Sequence, residues 1–236
     1  MLNPSQNLIT ALDPESPASE AYRTLRTNLT LRDFDSTLRV INVISTSAQE
    51  SKSTTILNLA YVHTQLGKRV LVVDLDLRLP SLHKKLNLRN KLGVADVIGG
   101  QCKFSEAVVH YADKFDVLLS GTKIPFASEF IQSEALKQFI KQSKEVYDLV
   151  LLDCPPVGLV TDGVIASGLC DGTILCVASG HNERRELERT KDLLTQMNVK
   201  ILGIVMTRMP MTKKYYNYSY RYAETTKKKK GLFGKK

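Results

Sequence analysis

Apolar residues in this chain fall into short runs of strand length, separated by longer stretches in which they recur every three or four positions. The first dozen residues are polar and read as loose. Residues 14–20, Pro-Glu-Ser-Pro-Ala-Ser-Glu, have the make-up of a helix start, with small hydroxyls and prolines ahead and Glu20 in the first turn. Beyond them Ala21, Leu25, Leu29 and Leu31 gather on or near one helix face, with Arg23 and Arg26 to the side. The pattern then predicts a buried strand over 39–45, a helix over 53–66 closed by Gly67, and a strand over 69–74. Residues 79–100 read as irregular with short helical pieces. A strand over 115–120, a helix over 128–144 and strand Leu149–Asp153 follow. Pro155-Pro156, a helix near 162–169, strand Gly172–Ala178, a helix over 182–197 and a strand over 200–206 complete the series. Short β-branched runs alternating with helices predict an α/β fold with a doubly wound, mostly parallel sheet.

The pattern stops after Pro210. Tyr215, Tyr216, Tyr218, Tyr220 and Tyr222 place five of the nine tyrosines within eight residues, and Lys227–Lys230 come next. Such a segment has little to bury and too much like charge to fold alone. The chain therefore divides into a flexible N-terminus over 1–15, one domain over 16–208 and a tail over 209–236. The net charge of +9 belongs to the tail: residues 207–236 hold ten Lys/Arg and one acid, which leaves 23 basic and 23 acidic side chains elsewhere. A neutral domain lacks the basic face that nucleic acid needs, so no nucleic acid is expected as the main partner. The lysine run can instead meet anionic lipid, with Leu232 and Phe233 as a weak apolar toe, or simply be solvated.

No segment approaches ~18 uncharged apolar residues, and the N-terminus lacks the basic and apolar regions of a signal peptide. A cytosolic protein is expected. Cys102, Cys154, Cys170 and Cys176 show no CxxC spacing, and no histidine joins them at ligand spacing, so they read as reduced core thiols.

Candidate chemistry lies at three strand ends, which a parallel sheet brings to one carboxyl edge. After the first strand, residues 46–53 end in Ser51-Lys52-Ser53-Thr54, the close of a phosphate-binding loop G-x-x-x-x-G-K-[ST], with Thr46 and Ser51 where glycines stand. In such a loop Lys52 neutralises phosphate oxygens and Ser53 offers a hydroxyl to Mg²⁺; an ordinary strand-to-helix turn is the alternative. Asp74 and Asp76 end the next core strand on one side by period-two alternation. Two such carboxylates need a cation between them; the alternative is a pair of solvated loop acids facing Arg78. Asp153 ends an apolar strand where a Walker B carboxylate would hold the metal.

Together these strings resemble the bacterial tyrosine kinases of capsule and exopolysaccharide synthesis, in the form of a separate cytoplasmic kinase subunit. Residues 16–29 resemble that family's N-terminal assembly motif, residues 74–78 (Asp-Leu-Asp-Leu-Arg) its second Walker motif, residues 151–156 its Walker B, and the tail its tyrosine cluster. Cys154 stands where Ser or Thr is usual, and Pro125 with Ser128-Glu129 only partly keep a Pro-Asn-Pro-rich segment. Family members usually carry Pro-Gly-Glu-Gly before Lys-Ser; here Ala48-Gln49-Glu50-Ser51 keeps the glutamate and neither glycine.

The resemblance implies that Gln49, Glu50, Ser51, Lys52, Ser53 and Thr54 bind ATP, that Ser53, Asp74, Asp76 and Asp153 hold Mg²⁺, and that Lys52, Asp74, Asp76 and Asp153 carry catalysis. It also implies that Tyr215, Tyr216, Tyr218, Tyr220 and Tyr222 are autophosphorylated in trans. Glu20, Arg23 and Arg26 would lie at the interface of a ring-shaped homo-oligomer. A membrane-embedded activator subunit of the polysaccharide co-polymerase type would recruit the kinase to the inner face of the membrane. The rival within that family is a catalytically weak regulatory or scaffold subunit. A positioning ATPase of the Min/Par type would need a second lysine early in the loop, which Thr46 and its neighbours do not supply.

Overall fold

The fold, seen in a computed structural model, is described for residues 7–33, 37–112 and 114–210. A single turn, α1 (Ile9–Leu12), precedes the long helix α2 (Pro17–Arg32). Ser16 caps α2, its hydroxyl accepting from the Ser19 N–H at 3.2 Å, and Pro17 occupies a first-turn position whose N–H has no helical partner anyway. Strand β1 (Val40–Ser45) leads into α3 (Lys52–Thr64), β2 (Val70–Asp74), and the short helices α4 (Leu82–Leu86), α5 (Val94–Ile98) and α6 (Phe104–Ala107). Strands β3 (Val108–Tyr111) and β4 (Phe115–Leu118) form a hairpin. Helices α7 (Ala127–Gln132) and α8 (Glu134–Val146), β5 (Leu149–Asp153), α9 (Asp162–Ser167), β6 (Gly172–Ala178), α10 (Arg184–Gln196) and β7 (Ile201–Thr207) follow.

The seven strands lie in the order β3-β4-β2-β5-β1-β6-β7, all parallel except β3, which runs antiparallel to β4 at one edge. Every residue of β1, β2, β5 and β6 is buried, as expected of parallel strands covered on both faces. On one face α1 to α4 pack Leu29, Ile56, Leu59, Leu82 and their neighbours against the sheet. On the other, α5 to α10 contribute Val94, Ile131, Phe139, Ile140, Val164 and Leu194. Each such side chain contributes about 1.5–3 kcal/mol on full burial. Asn42 of β1 is a polar residue inside this core, and it is satisfied: it donates to the Ser167 hydroxyl (2.8 Å) and accepts from Thr173 (2.6 Å), which ties α9 and β6 to the central strand.

The parallel, doubly wound sheet expected from the sequence is present. Three local readings are corrected. Residues 8–12, expected to be loose, pack: Leu8 and Thr10 are fully buried, and Asn58 of α3 grips the segment. Its Oδ1 accepts from the Thr10 amide (3.0 Å) and hydroxyl (2.9 Å), while its Nδ2 donates to the Asn7 carbonyl (2.7 Å). The single helix expected over 128–144 is two, because Ser133 adopts an extended backbone (ψ 143°) and its hydroxyl accepts from the Leu136 N–H to start α8 afresh. β3 had no counterpart in the sequence reading. All four cysteines are free thiols; Cys154 and Cys176 are fully buried, and burial pushes the Cys176 thiol up to about 12.

Candidate nucleotide site

Three adjacent strands, β2, β5 and β1, deliver the candidate residues to one edge of the sheet. Asp74 and Asp153 are direct cross-strand partners, and Val43, two residues before the end of β1, sits opposite Asp153. The loop 46–51 therefore rises beside both carboxylates and turns into α3, whose first backbone N–H groups face the same space.

The backbone of that loop turns through two left-handed residues. Gln49 and Ser51 stand where the family's glycines stand, and both adopt left-handed conformations, with φ of 62° and 63°. A residue with a side chain reaches that region at a cost of roughly 1–2 kcal/mol, so the surrounding fold must hold it there. Glu50 does much of the holding. It is completely buried, and its carboxylate accepts from the Ser47 N–H (2.7 Å) within the loop and from the Ala178 N–H (2.9 Å) at the end of β6. Its own carbonyl accepts from the Thr207 hydroxyl at the end of β7 (3.1 Å). The glutamate is thus a brace for the loop. Gly158 closes the other side: its N–H bonds the Thr46 carbonyl (3.0 Å), and a Cβ there would stand 2.5 Å from that oxygen.

A cavity of about 330 Å³ opens above this loop. Lys52, Ser53 and Asp76 line its polar floor, and Leu79, Pro155, Pro156 and Leu159 its apolar wall. Lys52 is nearly buried, makes no ion pair within 4 Å among the described residues, and acts on Asp76 and Asp153 at longer range. The three carboxylates differ. Asp74 is buried and pushed well above its ordinary range by desolvation, then by Asp153 and Asp76; its oxygens accept from the Asp76 (3.2 Å) and Leu82 (3.4 Å) amides. Asp153 is pushed up to about 6, first by desolvation, against the opposing pull of Lys52 and the Ser53 hydroxyl. Its Oδ1 is buried with no hydrogen-bond partner among the described residues. Asp76, half-buried on the cavity floor, is also raised by desolvation, and its Oδ1 accepts from the Leu79 N–H (3.1 Å).

An orphaned carboxylate oxygen beside a serine hydroxyl and a lysine fits a hydrated Mg²⁺ held by one or two protein oxygens and by phosphate. Among the described residues no three His, Cys, Asp or Glu side chains form a cluster that could hold a metal ion. Asp153 has the Ser53 hydroxyl beside it, whereas Asp74 is engaged with the Asp76 and Leu82 amides.

The solvated-acid alternative for Asp74 and Asp76 does not describe this pair, because Asp74 is buried and the ion pair Arg78 makes is with Asp162. Its guanidinium pairs with Asp162 at the start of α9 (2.7 and 3.2 Å) and with the Ser128 hydroxyl of α7 (3.0 Å). Sequence reasoning missed Asp162 and the Ser128 hydroxyl, and with them Ser81 and Lys85 on the cavity rim; Ser53 and Ser81 hydroxyls lie 3.4 Å apart. Only a serine and a lysine a few residues beyond Asp76 signalled the last two. Thr54 follows Ser53 on α3, its carbonyl accepting from Asn58.

The interface candidates lie elsewhere, on α2. Glu20 and Arg23 form an exposed pair at 2.7 Å, and Arg23 also donates to the Pro14 carbonyl. Arg26 is turned inward, donating to the Val62 carbonyl near the end of α3, where a cation suits the helix dipole. Tyr215, Tyr216, Tyr218, Tyr220 and Tyr222 lie outside the described residues. Among the described residues, no helix is long and apolar enough to cross a membrane.

Comparison with known proteins adds names to this geometry. An AAA domain family model matches residues 38–180. The tyrosine-protein kinase YwqD of Bacillus subtilis is 34% identical over 216 residues, covering 91% of each chain. The chimerical protein CapA2B2 superposes with a TM-score of 0.84 at 32% identity, over 87% of this chain and 91% of that one. The kinase domain of the Escherichia coli tyrosine kinase ETK gives 0.83 at 25% identity, over 87% and 81% of the two chains.

Proposed function

We propose that this chain, which belongs to the bacterial tyrosine-protein kinases, transfers the γ-phosphoryl group of ATP to tyrosines of its own C-terminal cluster, one subunit acting on the tail of another. The observation that carries the reading is the left-handed backbone at Gln49 and Ser51, which keeps the loop's phosphate-facing shape without glycine. In this reading the loop amides and the start of α3 cradle the phosphates, and Lys52 neutralises their terminal oxygens. Ser53 and Asp153 would hold Mg²⁺, which when bound would offset the negative charge on the transferring group. Asp76 is the carboxylate that faces the cavity, and its raised pKa suits it to take the proton from the tyrosine hydroxyl as the phosphoryl group arrives. Asp74 positions Asp76 and the following turn through its bonds to the Asp76 and Leu82 amides. The apolar wall of Leu79, Pro155, Pro156 and Leu159 suits an aromatic ring better than an aliphatic hydroxyl.

The wider setting follows the family resemblance: a ring-shaped oligomer contacted through exposed Glu20 and Arg23, a membrane-embedded activator, and control of capsule or exopolysaccharide synthesis. The inward turn of Arg26 assigns it to the subunit's own α3 in the single chain.

Calorimetry with Mg·ATP tests the site. Micromolar binding that is lost in Lys52→Met is expected. Asp76→Asn should keep binding but slow phosphotyrosine formation at least about 100-fold, the contribution of a general base. No binding at millimolar nucleotide with the fold intact would sink the kinase reading in favour of the scaffold subunit.

A further inference from the structure

Strand β7 is an edge of the sheet, and no other strand among the described residues pairs with its outer side. The Thr207 carbonyl accepts from Ser179 N (2.9 Å), which sets the parity: residues 203, 205 and 207 turn their backbone groups toward β6, while Ile204 and Met206 turn theirs outward. The Arg32 guanidinium closes the preceding outward carbonyl, that of Leu202. Nothing else among the described residues closes the next two. The strand reads Ile-Leu-Gly-Ile-Val-Met-Thr, with no charge or proline to blunt the edge as exposed edges usually require. Beside it runs a groove of about 500 Å³ between β7 and α2, lined by Leu25, Leu29, Leu31, Gly203 and Val205. A Cβ built on Gly203 meets nothing within 4 Å, so the groove deepens where the strand lacks a side chain.

The chain itself supplies a segment that matches. It leaves β7 through Arg208, whose φ of 53° already bends it, then Met209 and Pro210. Residues 216–222 read Tyr-Asn-Tyr-Ser-Tyr-Arg-Tyr, an unbroken alternation with the period of a strand, built on one of the strongest strand formers. Its seven residues equal the seven of β7. The intervening residues 208–215 are long enough to reverse the chain.

We propose that residues 216–222 add to β7 as an antiparallel strand. Tyr216, Tyr218, Tyr220 and Tyr222 lie over the groove beside Gly203, and Asn217, Ser219 and Arg221 face the other side. Main-chain bonds to Ile204 and Met206 give the affinity, and rings covering an edge glycine give the register. Docked there, the tyrosines lie along β7 of their own subunit rather than in the cavity of a neighbouring one. The docking stands on the edge and the alternation, and holds whether or not the chain is a kinase.

Hydrogen exchange on the full chain at low concentration tests it, comparing the parent with the double variant Asn217→Pro/Ser219→Pro, which removes the two tail N–H groups that would face Met206 and Ile204, keeps every tyrosine and leaves the domain untouched. The Ile204 and Met206 amides should exchange at least about tenfold faster in the variant, while β1 and β5 amides stay unchanged. Equal exchange in parent and variant overturns the proposal. Protection in the parent that fades on dilution also overturns it, because a second copy, not the chain's own tail, would then cover the edge.

Discussion

At the level of single residues, the site depends on two side chains in backbone conformations that favour glycine. Gln49 and Ser51 sit at φ near +62°, and the Glu50 brace holds them there. Gln49→Gly and Ser51→Gly should each relieve strain beyond the chain entropy that glycine adds, a net gain of about 0.5–1 kcal/mol. Thermal melts should rise by roughly 1–4 °C per substitution. Glycine variants that melt lower than the parent would show the loop unstrained. Asp153 gives a pH-dependent companion. Its folded pKa of about 6 lies above the ordinary 3.8, so its contribution to stability is complete below the ordinary value and is lost as pH rises through 6. In the nucleotide-free protein at pH 7.5, Asp153→Asn should therefore be more stable than the parent, on the order of 3 kcal/mol, with the gap narrowing as pH falls below 6 and closing near the ordinary carboxylate value. A gap that widens toward acid would refute the raised pKa. Residue types at strand ends were legible in the sequence. The left-handed loop was not, because glycine is the usual sign of positive φ and here neighbours impose it.

Among the elements, the regular ones were readable because their apolar periods are set by burial against one sheet. Strands Leu149–Asp153 and Gly172–Ala178 match the expected bounds to the residue. What escaped was decided by single side chains acting over distance. The first helical turn is held by Asn58, 48 residues from Thr10, and no local pattern announces that grip. Asn58→Ala would leave the Thr10 amide and hydroxyl and the Asn7 carbonyl without their partner, at a cost of about 3 kcal/mol. A melt lowered by roughly 6–10 °C, with new proteolysis near residues 7–13, is expected. An unchanged N-terminal digestion pattern would mean that buried Leu8 suffices to hold α1. The α7–α8 break turns on one serine: Ser133 followed by Glu134 is a helix-start signal inside an otherwise continuous helical pattern.

For the molecule as a whole, charge and fold are segregated, since the +9 lies entirely in residues 207–236. If the lysine run meets anionic lipid at about 1 kcal/mol per residue, replacing Lys227–Lys230 by serine should weaken binding to phosphatidylserine vesicles at least about 100-fold. Half-molar salt should weaken the parent similarly, and vesicle binding indifferent to both would leave the run as solvated tail. The tail is also the handle by which anything outside can pull on this domain. Its point of departure, Thr207, is bonded to Glu50 of the phosphate loop, and Glu50 in turn to the end of β6. A load applied at the tyrosine cluster thus enters the fold at a residue bonded both to Ser179 beyond β6 and to Glu50, so in mechanical terms the loop over 46–51 shares the tension with the sheet.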